Sequence, residues 1–275
     1  NIELAGVCDC DGRKTENAIR ACKEKTGHEV AGYDDLRRLL DDKSIDAVTY
    51  ATPNHWHAWG VIWGCQAGKD VYGEKPGSHN IFEGRKMVEA ARKYDRIVQH
   101  GTQCRSSANI VEGMKHLHDG LIGDVYFGRG IAYKIRRSHG KNENRPAPDN
   151  LQWDAFCGPA PMRPYSTFQQ SKWHWIWDFG NGEIGNQGVH QMDLLRWGMK
   201  IDQHPTTVSA MGTNYIQENM FKSDAETPGL LSSMMKWPDG KMITFEVRDW
   251  YTNAEAGFRD QYPFVQKDFP VGAIF

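Results

Sequence analysis

The sequence predicts two consecutive domains, an α/β domain with a parallel sheet and an α+β domain with a largely antiparallel, open sheet. Short apolar strand patterns alternate with helical patterns over residues 1–103, which is typical of βαβ units. Residues 104–275 contain fewer helical patterns, and their last strand patterns follow one another almost directly. The boundary between the domains is therefore expected near residue 103.

The first domain shows a regular alternation of elements. Strand patterns lie at residues 2–8, 45–51, 70–73 and 97–100. Helical patterns lie at about residues 12–25, 33–42, 55–67 and 81–94. Asp11 is expected to cap the first helix, and Asn80 with Glu83 forms a capping-box pattern before the last one. Strands separated by helices in this way form a parallel sheet that is covered on both faces.

The second domain is expected to be mostly strand. Its strand patterns lie at residues 124–137, 207–216, 230–237 and 241–251, with helices at about 108–121 and 189–199. A polar, proline-rich loop is expected at 138–151. Pro238, Asp239 and Gly240 form a hairpin-type turn between the last two strands, which predicts antiparallel pairing there.

Composition excludes several classes of function. The chain of 275 residues has 33 Lys and Arg against 35 Asp and Glu, a net charge of -2, so nucleic acid is not an expected partner. The longest apolar run, residues 58–65, is well short of the ~20 residues that span a bilayer. Its 6 cysteines are too sparse for a disulfide scaffold and lack the CxxC spacing of a zinc site.

Asp9 stands at the end of the first strand pattern, where dinucleotide-binding folds place an acid that binds ribose hydroxyls. An acidic residue before a helix, beside Asp11, is the ordinary structural alternative. The glycine fingerprint that separates the two readings, GxGxxG about twenty residues upstream, would lie before Asn1.

Two further segments, residues 51–57 and 74–76, each follow a strand pattern. Ligands of open α/β sheets bind outside the carboxyl ends of the strands, although a plain strand–loop–helix junction would also explain the first segment. Lys75 could orient a substrate hydroxyl or lower its pKa by charge, whereas a solvated lysine is the common alternative. His55 and His57 lack a third ligand at a recognisable spacing, so no metal site is predicted.

His190 and Asp193 lie three residues apart at the start of a predicted helix and so share a face. A carboxylate one turn away can hold a histidine tautomer for general-base catalysis. A capped helix with a half-buried polar pair explains the same pattern equally well.

Aromatic residues are dense in the irregular sequence that follows residue 151 and runs to about residue 185. Trp173, Trp175 and Trp177 alternate with other residues, so an extended segment would place their indoles on one face, where they could stack on a sugar or fill a core. The candidate substrate-pocket residues are Arg136, Arg137, Trp153, Trp173, His174 and Trp175.

Three motifs occur in a characteristic order: Thr-Pro-Asn-x-x-His at 52–57, Glu-Lys-Pro at 74–76 and Gly-Val-His-x-x-Asp-Leu at 188–194. Together they resemble the Gfo/Idh/MocA oxidoreductases, which include glucose–fructose oxidoreductase and inositol dehydrogenase. The resemblance extends over essentially the whole chain. Asn186 and the residues after it look like the branch rich in exported bacterial members.

The resemblance implies a Rossmann domain that binds NAD or NADP, and a sheet domain that carries a carbohydrate substrate and forms a homo-oligomer, a dimer or tetramer. It implies that Lys75 is the catalytic lysine, that Pro76 is cis, and that His190 is the acid/base histidine supported by Asp193. Many members have Asp where this chain has Asn186, which can hydrogen-bond but adds no charge. The implied cofactor-binding residues are Asp9, Arg13, Thr52, Pro53, Asn54, His57, Glu74 and Lys75.

The termini and the reaction carry expectations of their own. The chain starts inside a strand pattern, so the first βα step of the Rossmann unit, about 30 residues, is expected to be missing, and the second domain is expected to be cut short at its end.

Two alternatives to a sugar or polyol dehydrogenase stay open. One is an NAD-dependent glycosidase that oxidises its sugar transiently, and the other is a non-catalytic binding protein without the glycine loop. The compartment is open: cytoplasmic, or periplasmic if a leader precedes the chain.

The choice of cofactor gives a first testable prediction. A carboxylate at Asp9 repels the 2′-phosphate of NADP, whereas Arg13 lies near enough in sequence to accommodate it. We expect NAD to bind more tightly than NADP when the two are compared by titration calorimetry on the same protein. Tighter binding of NADP would show that Arg13, and not Asp9, determines the preference.

Overall fold

The computed structural model describes residues 2–134, 136–249 and 271–275. The last residues of the strand expected at 241–251 and most of the apolar end, residues 264–270, lie outside this range. The contacts divide the chain into two compact units. The first contains Asn1–Gly101, Asn142–Trp173 and Asp178–Gly180, and the second contains Thr102–Lys141, His174–Trp177 and Asn181–Phe275.

The first unit has the alternating order that the sequence predicts. Its strands are β1 (Gly6–Cys8), β2 (Ala31–Tyr33), β3 (Ala47–Tyr50), β4 (Asp70–Glu74) and β5 (Val98–Gly101). The helices between them are α1 (Gly12–Thr26), α2 (Leu36–Asp41), α3 (Asn54–Gln66) and α4 (Ile81–Lys93). β1 pairs with β2, and β4 lies between β3 and β5, in each case with parallel strands. The predicted parallel α/β domain is confirmed.

Local side-chain chemistry explains where these helices begin. The Asp11 carboxylate accepts a hydrogen bond from the backbone N–H of Arg13 and so caps α1. The Asn80 side chain accepts from the N–H of Glu83 at the start of α4, and the Glu83 carboxylate accepts in return from the N–H of His79. This is the expected capping box, except that the bond back to Glu83 comes from the N–H of His79 and not from that of Asn80.

Two boundaries differ from the sequence prediction. Tyr33 belongs to strand β2, which was not predicted, and helix α2 begins only after Asp35, whose side chain caps it. Three residues carry too short a pattern to separate a strand from the adjacent helix. Helix α3 begins one residue earlier than predicted, with Pro53 at the cap position and Asn54 buried as the first helical residue.

The remaining elements are the helices and strands of the second half of the chain. They are α5 (Ala108–His118), β6 (Phe127–Tyr133), α6 (Trp153–Cys157), α7 (Thr167–Ser171), α8 (Val189–Gly198), β7 (Thr207–Thr213), β8 (Leu230–Lys236), β9 (Met242–Arg248) and β10 (Val271–Ile274). All of these except α6 and α7 belong to the second unit.

The second unit is built on a five-stranded sheet in the order β10-β6-β9-β8-β7. Only β6 and β9 are parallel neighbours, so the sheet is mixed and mostly antiparallel, as expected. The predicted hairpin turn joins β8 to β9. Helix α8 packs closely on β6 because Gly128 and Gly130 have no side chains. A Cβ atom at either would lie 2.8 or 2.9 Å from atoms of Leu195 or Gln191.

Residues Asn142–Trp173 pack with the first unit, although the sequence suggested one division near residue 103. The backbone N–H of Gly12 donates to Asn150, the N–H of Gln152 donates to Cys10, and the Asn150 amide donates to Asp11. Sequence patterns do not report such long-range hydrogen bonds. The domain boundary near residue 103 stays a prediction.

No helix in the described part of the chain is long and apolar enough to cross a bilayer.

Candidate active site

Two of the expected site segments lie at the carboxyl ends of neighbouring strands in the first unit. Thr52 and Pro53 follow β3 and lead into α3, while Glu74 ends β4 and Lys75 follows it. Because β3 and β4 are adjacent and parallel, both segments reach the same edge of the sheet. Lys75 is half-buried, and the Lys75–Pro76 peptide bond is cis, as the resemblance implied.

His57 joins these two segments. Its ring is 2% exposed, its Nε2 lies 2.8 Å from the carbonyl oxygen of Thr52, and its Nδ1 lies 2.5 Å from that of Pro76. Burial lowers the pKa of His57, so the ring is neutral near pH 7 and has a single N–H to donate. Both ring nitrogens already face carbonyl oxygens. His57 therefore links the Thr52 and Lys75 segments, and its expected place along the cofactor stays a prediction.

Thr52 offers the clearest sign of a ligand at this edge. Its Oγ1 is buried and has no hydrogen-bond partner among the described residues. A buried hydroxyl without a partner costs free energy unless a bound group satisfies it. A dinucleotide outside the carboxyl end of β3 would supply such a group, so the residues at this edge fit the cofactor.

Asp9 lies just beyond β1, as expected. Its carboxylate accepts a hydrogen bond of 2.9 Å from the N–H of Asp11 and lies 3.8 Å from the ammonium of Lys14, an interaction that the sequence did not reveal. The Asp9 side chain is 33% exposed and the Arg13 side chain 65%, while the Arg13 guanidinium lies 3.6 Å from Asp11. Asp9 and Arg13 are thus both accessible to solvent.

The other expected catalytic residues lie in the second unit, on α8 and the turn before it. Residues Ile184–Gly188 form one π-helical turn that contains Asn186, and α8 continues directly from it with His190 near its start. The Asn186 amide donates to the Glu183 carboxylate at 3.5 Å. The half-buried His190 has its Nδ1 3.9 Å from the Sγ of Cys104.

Asp193 has a strong partner that the sequence did not predict. Arg105 donates three hydrogen bonds of 2.8–3.0 Å to its two carboxylate oxygens, and these bonds raise the pKa of Arg105. This bidentate pair holds the Asp193 carboxylate in a defined direction. The expected support of His190 by Asp193 stays a prediction.

Glu183 is a further residue that sequence reasoning missed. Its side chain is 1% exposed, and its carboxylate lies 2.6 Å from the guanidinium of Arg136 and 3.3 Å from the ammonium of Lys134. The Lys134 ammonium also donates to Gln187 in the π-helical turn. Buried charges need such partners, so this cluster holds the turn before α8 against the strand end that follows β6.

The segment that contains Trp173, Trp175 and Trp177 is not extended. Residues Trp173–Trp175 form a 3-10 turn instead of an extended segment, Trp175 is buried, and Trp177 is 49% exposed. Trp175 is stacked on His139 and lies under the Arg136 guanidinium, 4.7 Å from its ring centroid. The His174 ring lies 6.1 Å from the Trp175 ring between centroids, and the expected places of His174 and Arg137 in the substrate pocket stay predictions.

Trp153 was also expected in the substrate pocket, but it is buried in the core of the first unit. Its indole is stacked on Phe156, and its Nε1–H donates a hydrogen bond of 2.6 Å to the carbonyl oxygen of Arg163. Its role there is packing, which a single sequence cannot distinguish from substrate stacking. Trp173 belongs to the first unit as well, whereas Arg136, His174 and Trp175 belong to the second.

Comparisons with known proteins decide the family. Residues 1–102 match the oxidoreductase family with an NAD-binding Rossmann fold, and residues 114–261 match the GFO/IDH/MocA C-terminal domain. The chain belongs to the GFO/IDH/MocA oxidoreductase family. The resemblance inferred from the three motifs is therefore confirmed, and with it the order of a Rossmann domain followed by a mostly antiparallel sheet.

Individual members of the GFO/IDH/MocA family match only part of this chain, at about a third identity. The chain is 34% identical over 108 residues to a myo-inositol 2-dehydrogenase of Thermotoga maritima, covering 39% of this chain and 32% of that protein. It is 31% identical over 134 residues to a glycosyl hydrolase family 109 protein of Saccharopolyspora erythraea, covering 47% of this chain and 29% of that protein. The chain thus matches about a third of the length of these curated relatives.

A solved structure shares the GFO/IDH/MocA fold. The WlbA dehydrogenase of Bordetella pertussis, in complex with NADH and UDP-GlcNAcA, superimposes with a TM-score of 0.64 at 22% identity. The match covers 90% of this chain and 64% of that one. At this identity the likeness shows the fold alone.

The buried histidine beside the Thr-Pro-Asn segment gives a prediction about stability. His55 is 2% exposed, its ring nitrogens face the carbonyl oxygens of Phe156 and Phe179, and burial lowers its pKa from 6.5 to about 4. Below pH 6.5 the unfolded chain binds a proton that the folded chain does not, so the free energy of unfolding falls as the pH drops toward 4.

The variant His55→Gln cannot take up this proton. We expect its free energy of unfolding to depend less on pH between about 4 and 7, by roughly 3 kcal/mol over the range. Urea unfolding followed by tryptophan fluorescence at several pH values measures the difference. Equal pH dependence in the two proteins would mean that the ring is protonated when folded.

Proposed function

We propose that this protein is an NAD-dependent dehydrogenase that oxidises a hydroxyl group of a sugar or polyol. The observation that carries the proposal is the placement of Lys75 at the same sheet edge as the unsatisfied Thr52 hydroxyl, with His57 fixing both segments. Membership of an NAD-binding oxidoreductase family supports the same reaction class. The myo-inositol dehydrogenase relative supports a cyclic polyol or sugar as substrate.

The proposed roles of the residues follow from their chemistry. Lys75 holds the substrate oxygen and offsets the negative charge that develops on it, while His190 takes the hydroxyl proton. NAD, when bound, supplies the nicotinamide ring that accepts the hydride. The cofactor would be held along the sheet edge by Thr52, Pro53, Asn54 and Glu74, and its ribose by Asp9. Asn186 orients the substrate without adding charge.

The sheet of the second unit is also proposed to form a homo-oligomer. Strand β7 is exposed along its whole length, and Val208 and Met211 on it are 62% and 81% exposed. β7 is the last strand in the sheet order, and an exposed edge strand can pair with another chain. Whether the assembly is a dimer or a tetramer stays a prediction from the family resemblance.

The direct test is the formation of NADH by the full-length protein on a panel of inositols, hexoses, uronates and glycosides. We expect substrate-dependent absorbance of NADH with at least one cyclic polyol or sugar. Cleavage of a glycoside without net NADH would instead indicate the glycosidase alternative. Failure to bind NAD at all, measured by calorimetry, would indicate a binding protein.

Variants of the two proposed catalytic residues test the mechanism. Lys75→Ala and His190→Ala should each lower kcat by at least ~10²-fold, the usual contribution of acid–base catalysis. Lys43→Ala, which removes an exposed lysine of the first unit outside the site, is the matched control and should keep normal turnover. Normal kcat in His190→Ala would show that another group takes the proton.

A further inference from the structure

The loop that follows β1 is held by a segment from much later in the sequence. Residues 150–152 lie against this loop, and both belong to the first unit. The backbone N–H of Gly12 donates a hydrogen bond of 2.9 Å to the carbonyl oxygen of Asn150, and the N–H of Gln152 donates one of 2.9 Å to that of Cys10. The loop and the segment are therefore fixed to each other by their backbones.

A side chain adds to this backbone pairing at Asp11, which is 4% exposed. The Asn150 amide donates a hydrogen bond of 2.6 Å to Oδ1 of Asp11, and the backbone N–H of Arg13 donates to the same oxygen at 3.1 Å. A buried carboxylate is stable only with such donors. Loss of the Asn150 amide would leave this carboxylate with fewer donors, so the loop would shift to expose it to water.

Asp11 in turn orients the carboxylate of Asp9. The backbone N–H of Asp11 donates a hydrogen bond of 2.9 Å to Oδ1 of Asp9, and the ammonium of Lys14 lies 3.8 Å from Oδ2. The Asp9 side chain is 33% exposed, and a carboxylate has about four acceptor positions, so ribose hydroxyls can add to these contacts. A chain of contacts thus runs from Asn150 through Asp11 to Asp9.

The segment that carries Asn150 is itself a fixed support, because it continues directly into α6. The end of α6 is fastened to the start of α3. The indole N–H of Trp56 lies 3.1 Å from the carbonyl oxygens of both Ala155 and Phe156. The Nε2 of His55 lies 2.9 Å from the carbonyl oxygen of Phe156. Since α3 follows β3, the segment is attached to the sheet edge after β1 and again after β3.

We propose that Asn150 is a positioning residue for the cofactor. Through Asp11 it holds the Asp9 carboxylate in the direction that accepts the ribose hydroxyls of NAD and repels the 2′-phosphate of NADP. The proposal rests on the ribose-binding role of Asp9 in the proposed function. A carboxylate that can turn away toward solvent loses its hydrogen bonds to the ribose and repels a phosphate less. The preference for NAD is then set by residues from two distant parts of the sequence.

Titration calorimetry of the full-length protein with NAD and with NADP tests this role. Asn150→Ala should weaken NAD binding about fivefold, as the loss of one hydrogen bond does, and change NADP binding by less than about twofold. The preference for NAD over NADP should therefore fall. Asn150→Asp, which replaces the donor by a negative charge beside Asp11, should lower the preference further. The matched control is Asn17→Ala, which removes an exposed amide that contacts Arg20 on α1 and should keep the wild-type preference.

A double variant shows whether Asn150 acts through Asp9. Asp9→Ala should lower the preference for NAD by at least as much as Asn150→Ala, and the two changes together should have little effect beyond that of Asp9→Ala alone. Additive effects in the double variant would overturn the proposal, because Asn150 would then act by another route.

Two further outcomes would also overturn it: an unchanged preference in Asn150→Ala, or an equal weakening of NAD and NADP, which indicates general damage to the fold. Each of these leaves the proposed dehydrogenase function standing. Failure of the wild type to bind either cofactor would instead refute the proposed function, and this proposal with it.

Discussion

The candidate site in the first unit depends on one buried imidazole. His57 lies under the carboxyl ends of β3 and β4, and its two nitrogens face the carbonyl oxygens of Thr52 and Pro76. This link adds to the pairing of β3 with β4, the strands that precede the two segments. Burial keeps the ring neutral, so the link does not change with pH near neutrality. A fixed lysine is what orientation of a substrate oxygen requires.

In the second unit, buried charges hold the proposed site residues in place. The π-helical turn before α8 carries Asn186 and leads to His190, and its start is held by Glu183, which two cations neutralise. Asp193, which follows His190 on α8, is bound by Arg105. Removal of a partner of Glu183 leaves a buried unpaired charge, so the Glu183 pairs hold the turn strongly, whereas the Arg105–Asp193 pair is partly exposed. His190 lies between these two contacts along the chain.

Local chemistry made much of this predictable from sequence. The caps of α1 and α4, the strand–loop segments of the first domain and the hairpin between β8 and β9 depend on residues a few positions apart, and all were confirmed. Contacts between distant residues were not predictable. Asn150 packs against Asp11, Trp153 fills a core, and Arg105 binds Asp193, and in each case the partners are separated by about ten to over a hundred residues. Short patterns carry no signal of these pairings.

The histidines show why a motif alone does not define a role. His57 and His190 both stand in family motifs near a helix start, but their surroundings separate them. A general base needs one nitrogen that can reach the substrate. Both nitrogens of His57 face carbonyl oxygens, and the residue is buried, so it is not placed to act as a general base. His190 is half-buried, and its Nδ1 faces a thiol, which is a weak partner. His190, unlike His57, is therefore exposed enough for its proposed role as the base.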